Sequence, residues 1–226
     1  MKQTVLVTGG ASGLGAAVAG AVAAHEGTPV VLDVRPPHAD HDHVVADLRD
    51  RPGTEKAVAE AAERHGGLDA VVTCAGTDAC GRLDEVDADA WEDVIRVNLL
   101  GTAAVVRAAM PHLLRSRGRV VTVASTLGLR ALSDASAYCA SKFGIVGFSR
   151  ALAVETQGRI GVTMLVPGGM QTAFFDGRPE EYRPGADDHL NHPDDVARAV
   201  LFALQQPAGC EVRELVVTPS VEPSWP

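Results

Sequence analysis

Aromatic side chains are scarce: Phe, Trp and Tyr together make up 4% of the 226 residues. A β sandwich leans on such rings for its core. Their shortage, beside an apolar fraction of 46% drawn mostly from Ala, Val and Leu, points instead to a sheet covered by helices. Positive charge is short as well. A formal net charge of −9 excludes a nucleic-acid partner, because phosphate binding needs a basic face. No polybasic segment is present to seek a membrane surface, and the apolar runs break off before a spanning length, so no transmembrane helix is expected. The first residues read as a strand entering a Gly-rich turn, not as a signal peptide. The four cysteines, Cys74, Cys80, Cys139 and Cys210, have no metal or redox spacing, so reduced thiols in the cytoplasm are expected. His38, His41 and His43 alternate with acids, but on a loop without the spaced helix or Cys support of zinc sites. No metal is expected there.

What is present is a rhythm. Short apolar runs at residues 4–8, 29–33, 43–46, 68–73, 119–124, 161–166 and 214–217 alternate with helical patterns at 14–25, 54–65, 90–116, 136–157 and 193–206. Parallel strands joined by crossover helices are the expected result. Runs such as Val120-Val121-Thr122-Val123 are apolar throughout and fit a sheet buried on both faces. No repeat or composition break divides residues 1–226, so one domain is expected, with 168–192 as a lid: that stretch is long, rich in charge and proline, and carries Phe174, Phe175 and Tyr182.

The turn after the first strand reads Thr8-Gly9-Gly10-Ala11-Ser12-Gly13-Leu14-Gly15. Glycines let the backbone approach a pyrophosphate, and the helix that follows offers free N–H groups and a positive dipole end. Asp33 closes the second strand some 20 residues on, where a carboxylate accepts from the adenosine ribose hydroxyls and repels a 2′-phosphate. NAD(H) is therefore expected over NADP(H). Strand, glycine turn, helix, strand and terminal acid together specify a dinucleotide site far better than glycines alone.

From here the residues resemble the short-chain dehydrogenase/reductase family over nearly the whole chain. The turn is similar to the family's T-G-x-x-x-G-x-G, through Gly9, Ser12, Gly13, Leu14 and Gly15. Asp47-Leu48 looks like its adenine-contacting pair. Cys74-Ala75-Gly76 stands where Asn-Ala-Gly is usual, and Asn98, Ser125 and Tyr138-Cys139-Ala140-Ser141-Lys142 follow in order, the serine 13 residues before the tyrosine. Pro167-Gly168, with Met170 and Thr172, resembles the segment that holds the nicotinamide end. The resemblance implies a single Rossmann-type domain: a doubly wound parallel sheet of about seven strands with helices on both faces. It implies catalysis by Asn98, Ser125, Tyr138 and Lys142, and a cofactor site that includes Ala75 and Gly76.

Two departures stand out. Cys74 replaces an asparagine that braces the central sheet in the family, which bears on local stability. The segment after the last strand reads Thr218-Pro219-Ser220 without the usual Asp-Gly-Gly of a region that helps build tetramers.

Tyr138 and Lys142 are four apart on a helix and share a face. The lysine ammonium, with the oxidised cofactor's own charge, is expected to favour the phenolate and lower the tyrosine's pKa from near 10. Tyr138 would then exchange a proton with a substrate oxygen that Ser125 holds, Lys142 would anchor the nicotinamide ribose, and the resemblance implies that Asn98 keeps a relay water behind the lysine. The expected function is interconversion of a small secondary alcohol and its ketone by hydride transfer. The alternative is a weakly catalytic NAD(H) sensor of the same fold, which would have no use for the serine–tyrosine pair. The helices at 90–116 and 136–157 resemble the family's dimerising pair, so a homodimer or homotetramer is expected.

Overall fold

A computed structural model describes residues 3–185 and 189–225; of the expected lid at 168–192, residues 186–188 lie outside the described residues. Seven strands form one fully parallel sheet in the order β3-β2-β1-β4-β5-β6-β7. They are β1 (Thr4–Thr8), β2 (Thr28–Asp33), β3 (Asp42–Val45), β4 (Ala70–Thr73), β5 (Arg119–Val123), β6 (Gly161–Pro167) and β7 (Glu214–Val217). Each expected strand is present, with ends shifted by a residue or two. The order reverses between β1 and β4, the place where a doubly wound sheet opens a crevice at its carboxyl edge.

The period of two in the strands sorts the core into two layers. Leu6, Val30, Val71 and Val120 face one way, towards α2 (Arg51–Arg64) and α4 (Thr102–Ser116), where Val58, Val105 and Leu113 meet them. Val5, Val7, Val72 and Val121 face the other way, towards α1 (Gly13–Ala24) and α6 (Pro193–Leu204), whose Val18, Val196 and Val200 close that side. Helix α5 (Ser136–Glu155) lies over β5 and β6 through Ile145 and Val146.

Helix starts follow local chemistry. Pro52 opens α2 and Pro193 opens α6, at positions where a missing N–H costs nothing. The carboxylate of Asp87 caps α3 (Ala88–Ile95) by accepting from the Ala90 N–H at 2.9 Å. The pattern expected at 90–116 proves to be two α-helices joined by a wide π turn, Arg96–Gly101, into one rod from Ala88 to Ser116. By length and composition this rod is apolar enough to cross a membrane, which the sequence reading did not anticipate. The apolarity has a reason inside the fold, because Val94, Val105, Val106, Ala109 and Leu113 belong to the buried core.

Candidate functional site

The crevice begins at the turn after β1. Gly9 has φ +67° and lies so close to the β4 loop that a Cβ there would come within 2.7 Å of the Ala75 backbone. Only glycine permits both that conformation and that approach. Across the turn, Asp33 stands at the end of β2 with both oxygens engaged: Oδ2 accepts from the Ala11 N–H at 3.0 Å and Oδ1 from the Arg35 N–H at 3.1 Å. The carboxylate thereby joins the loop to β2. Ser12, the residue before α1, makes no capping bond with its side chain, and the first turn of α1 carries no acid. Gly13, Leu14 and Gly15 thus present an uncapped helix N-terminus, the arrangement that suits a diphosphate. Thr172 faces Gly13 from the loop beyond β6. These features fit a dinucleotide.

Leu48 is buried beneath the π turn, and a Cβ on Gly101 would meet its Cβ at 2.7 Å. Asp47 points elsewhere: Arg49 Nη2 donates to it at 2.6 Å and bridges to Asp93 at 2.8 Å, and the Arg49 guanidinium holds the carboxyl below its usual range. Ala75 N–H donates to Thr8 Oγ1 at 3.1 Å, which ties the Ala75–Gly76 segment to the end of β1. Cys74 packs among the apolar residues beneath α1 and α6, so the expected weak point is filled by a small hydrophobe. Burial pushes its thiol up to about 12, against the opposing pull of Lys142.

The four expected catalytic residues come from three elements and converge on the carboxyl edge of β4 and β5. Ser125 follows β5 and accepts from the Leu127 N–H at 3.1 Å. It also lies close enough to Tyr138 to favour the phenolate. Lys142, one turn along α5 from Tyr138, is buried, and its Nζ sits 5.5 Å from the tyrosine ring centroid while donating to the Val123 carbonyl at 2.8 Å. Asn98 sits in the π turn with its amide fully engaged. It accepts from the Thr77 N–H at 2.8 Å and donates to the Thr77 carbonyl at 2.9 Å and to Ser141 Oγ at 3.0 Å. Its side chain therefore braces the loop after β4 against α5 and makes no bond to Lys142.

One electrostatic expectation needs correcting. Burial pushes the Tyr138 phenol up to about 12, against the opposing pull of Ser125 and of Arg178. Burial also drives Lys142 down to about 8, opposed by Cys74 and Asp78. In each case desolvation is the largest influence, and it disfavours the charged form.

Four residues escaped the sequence reading. Asp78, on the loop after β4, receives Arg178 Nη2 of the lid at 2.6 Å, and both side chains are largely buried. Glu222, in the tail beyond β7, accepts from the Gly169 N–H at 3.0 Å, while its neighbour Ser224 donates to Thr126 Oγ1 at 2.7 Å. The tail thus links the loop after β6 to the segment of Ser125, a role for which no motif prepares. Pro167 and Gly168 are buried, and Met170 and Gln171 pair with Asn191, which pins together the two ends of the lid. Within the lid, the Phe174 ring lies 5.7 Å from that of Tyr138, whereas Tyr182 touches the site only through its carbonyl, bound to Arg178. A cavity of about 660 Å³ opens inside the lid between Thr172, Phe175 and Leu190. Among the described residues no group of three or more His, Cys, Asp or Glu could hold a metal; Asp42, in the His-rich stretch, is taken by Arg64 and by His65 at 2.6 Å.

This arrangement has relatives. The chain is 31% identical over 96% of its length to an uncharacterized oxidoreductase of Staphylococcus aureus, covering 97% of that protein. It is also 31% identical over 98% of its length to the glycine betaine reductase of Emericella nidulans, of which it spans only 19%. Among solved structures, an alcohol dehydrogenase from the archaeon Thermococcus sibiricus, complexed with 5-hydroxy-NADP, superposes with a TM-score of 0.86 at 23% identity, covering 96% of each chain. The family model described as short chain dehydrogenase matches residues 3–183, from β1 through α5 and into the segment beyond β6. With its nucleotide crevice and its tyrosine–lysine pair in place, the chain belongs to the short chain dehydrogenase family of oxidoreductases, enzymes that bind a nicotinamide cofactor.

Proposed function

We propose that the protein is an NAD(H)-dependent oxidoreductase that interconverts a small secondary alcohol and its ketone, with Tyr138 as the acid/base. The observation that carries this reading is the pairing of Tyr138 with the buried Lys142 one turn along α5, the lysine Nζ 5.5 Å from the phenol ring, with Ser125 close by. A structural tyrosine needs neither a buried ammonium nor a serine.

The cofactor, held by Gly9, the first turn of α1, Asp33, Leu48, the Ala75–Gly76 segment and the residues from Pro167 to Thr172, supplies or takes the hydride. The chain's own residues handle the proton. With its pKa pushed up to about 12, Tyr138 is neutral at pH 7 and serves as the acid that protonates a carbonyl oxygen, while Ser125 orients that oxygen. In the oxidation direction the phenolate is needed, so turnover should climb with pH. Lys142, pushed down to about 8, gives up its proton easily enough to refill the phenol. Asn98 acts by position, holding Thr77 and Ser141 rigid on either side of the lysine.

Preference for NAD(H) rests on Asp33, fixed by two backbone N–H groups at the ribose end of the crevice. A homodimer or tetramer is supported by the exposed apolar side chains of Leu100 on the π turn and of Phe143 and Val154 on α5. The reading is tested by following nicotinamide absorbance over a panel of ketones and alcohols with both cofactors. No turnover of any panel member would overturn it.

A further inference from the structure

The Asp78–Arg178 pair has no place in the proton chemistry, yet it backs Phe174, the ring that packs on Tyr138. Asp78 is 6% exposed and Arg178 18%, with 2.6 Å between them. Every oxygen of Asp78 is taken: Oδ1 accepts from the Ala79 N–H at 2.7 Å, and Oδ2 from the Cys80 thiol at 3.3 Å and from Arg178 Nη2. The Arg178 guanidinium lies against two rings, 4.9 Å from the Phe174 centroid and 4.6 Å from that of Phe175, and Phe174 in turn packs on Tyr138. Nη1 donates to the Tyr182 carbonyl at 3.3 Å. Nε is buried and has no hydrogen-bond partner among the described residues.

A buried donor without an acceptor is costly, so a group that remains so in the native protein calls for an occupant. We propose that Arg178 is a specificity-determining residue whose Nε donates to a second oxygen on the substrate, which is then a ketone or alcohol bearing a neighbouring hydroxyl or carbonyl. That inference rests on the oxidoreductase reading above. The pair as a whole is neutral, and a substrate carboxylate drawn to Arg178 would meet the Asp78 charge; the second oxygen is therefore an uncharged one. The fold explains why two loops meet here. Asp78 directly follows Thr77, which Asn98 holds on both its N–H and its carbonyl, so the anchor of the lid arginine is fixed by the same residue that ties this loop to α5.

The test compares isosteric ketones, 3-hydroxybutan-2-one against 3-methylbutan-2-one and 1-hydroxypropan-2-one against butan-2-one, with NADH and NADPH. Matching an otherwise unpaired donor predicts kcat/KM about 10–100-fold higher for each hydroxyketone, carried mainly by KM. In Arg178→Lys, which keeps a cation for Asp78 and lacks Nε, the discrimination within each pair should fall to within about threefold. Equal use of the paired ketones by the unmutated enzyme overturns the proposal without any variant. An Arg178→Lys enzyme that loses both members of each pair alike also overturns it, since that is the mark of a lid fastening alone. Failure of all four ketones with both cofactors counts first against the oxidoreductase reading, and the inference falls with it.

Discussion

Replacing Asp33 by serine should move cofactor choice from NAD(H) towards NADP(H). A 2′-phosphate placed where the ribose hydroxyls meet the carboxylate would lie about 5 Å from it, and at an effective dielectric of about 20 each unit of charge repels by about 3 kcal/mol. Asp33 is half-buried, so solvent and salt remove part of this, leaving about 1.5–3 kcal/mol, or roughly 10–100-fold in affinity. The carboxylate cannot easily turn aside, because the Ala11 and Arg35 N–H groups hold both its oxygens. Arg35 is the group that opposes the effect. It is exposed, two residues on, and followed by Pro36-Pro37, which stiffens the loop away from the turn. The assay is kcat/KM with NADH and NADPH on one ketone, for the unmutated enzyme and Asp33→Ser. We expect a preference for NADH of at least tenfold that shrinks by at least tenfold in the variant, with a stability loss of about 1 kcal/mol from the lost Ala11 bond. An unmutated enzyme that prefers NADPH, or a ratio that serine leaves in place, would refute the reasoning.

Tyr138→Phe keeps the ring and loses the proton; kcat should drop at least about 100-fold with NADH affinity by fluorescence nearly unchanged, and a variant retaining more than about a tenth of the rate would remove Tyr138 from its role. Burial lowers Lys142 to about 8, so between that value and its ordinary one the unfolded chain holds more protons than the folded. Stability should therefore rise with pH, by about 1 kcal/mol from pH 7 to 9, and urea melts of Lys142→Met should show a shallower rise. Sedimentation at micromolar concentration should show at least a dimer, and a species of only 23.5 kDa would count against the exposed Leu100, Phe143 and Val154 as an interface. Iodoacetamide should label the exposed Cys210 well before Cys74, whose thiol is pushed up to about 12, and peptide mapping reads the order.

What could be read in the sequence was whatever chemistry writes at short range. Tyr138 and Lys142 are one helical turn apart, the glycine turn spans eight consecutive residues, and the strands announce themselves by runs such as Ala70-Val71-Val72. Apolar runs in β4 and β5 announced a sheet covered on both faces, and two core layers do cover it. Three features lay beyond reach for a shared reason. Asp78 and Arg178 are 100 positions apart and meet only because the lid folds over the loop after β4. Glu222 reaches Gly169 across a tail with no pattern of its own. The rise of Tyr138 to about 12 depends on how deeply Phe174 and its neighbours bury the phenol, which spacing along α5 does not encode. Charge proximity was legible; desolvation was not.

The π turn at Arg96–Gly101 behaves as an insertion that the helix has absorbed without breaking. Removing one residue there would let the rod close into regular α-helix, a locally favourable change. Everything on its far side would then rotate by about 100° relative to α4. The Trp91 indole would leave Ser136 Oγ, now 3.0 Å away, and the capped start at Asp87 would swing off α5. Asn98 would lose Thr77 or Ser141, since no single rotation keeps both. Such a shortened chain should be able to build its sheet and both apolar layers and still have no working site, because the helix's irregularity, and not its length, puts an amide beside the lysine.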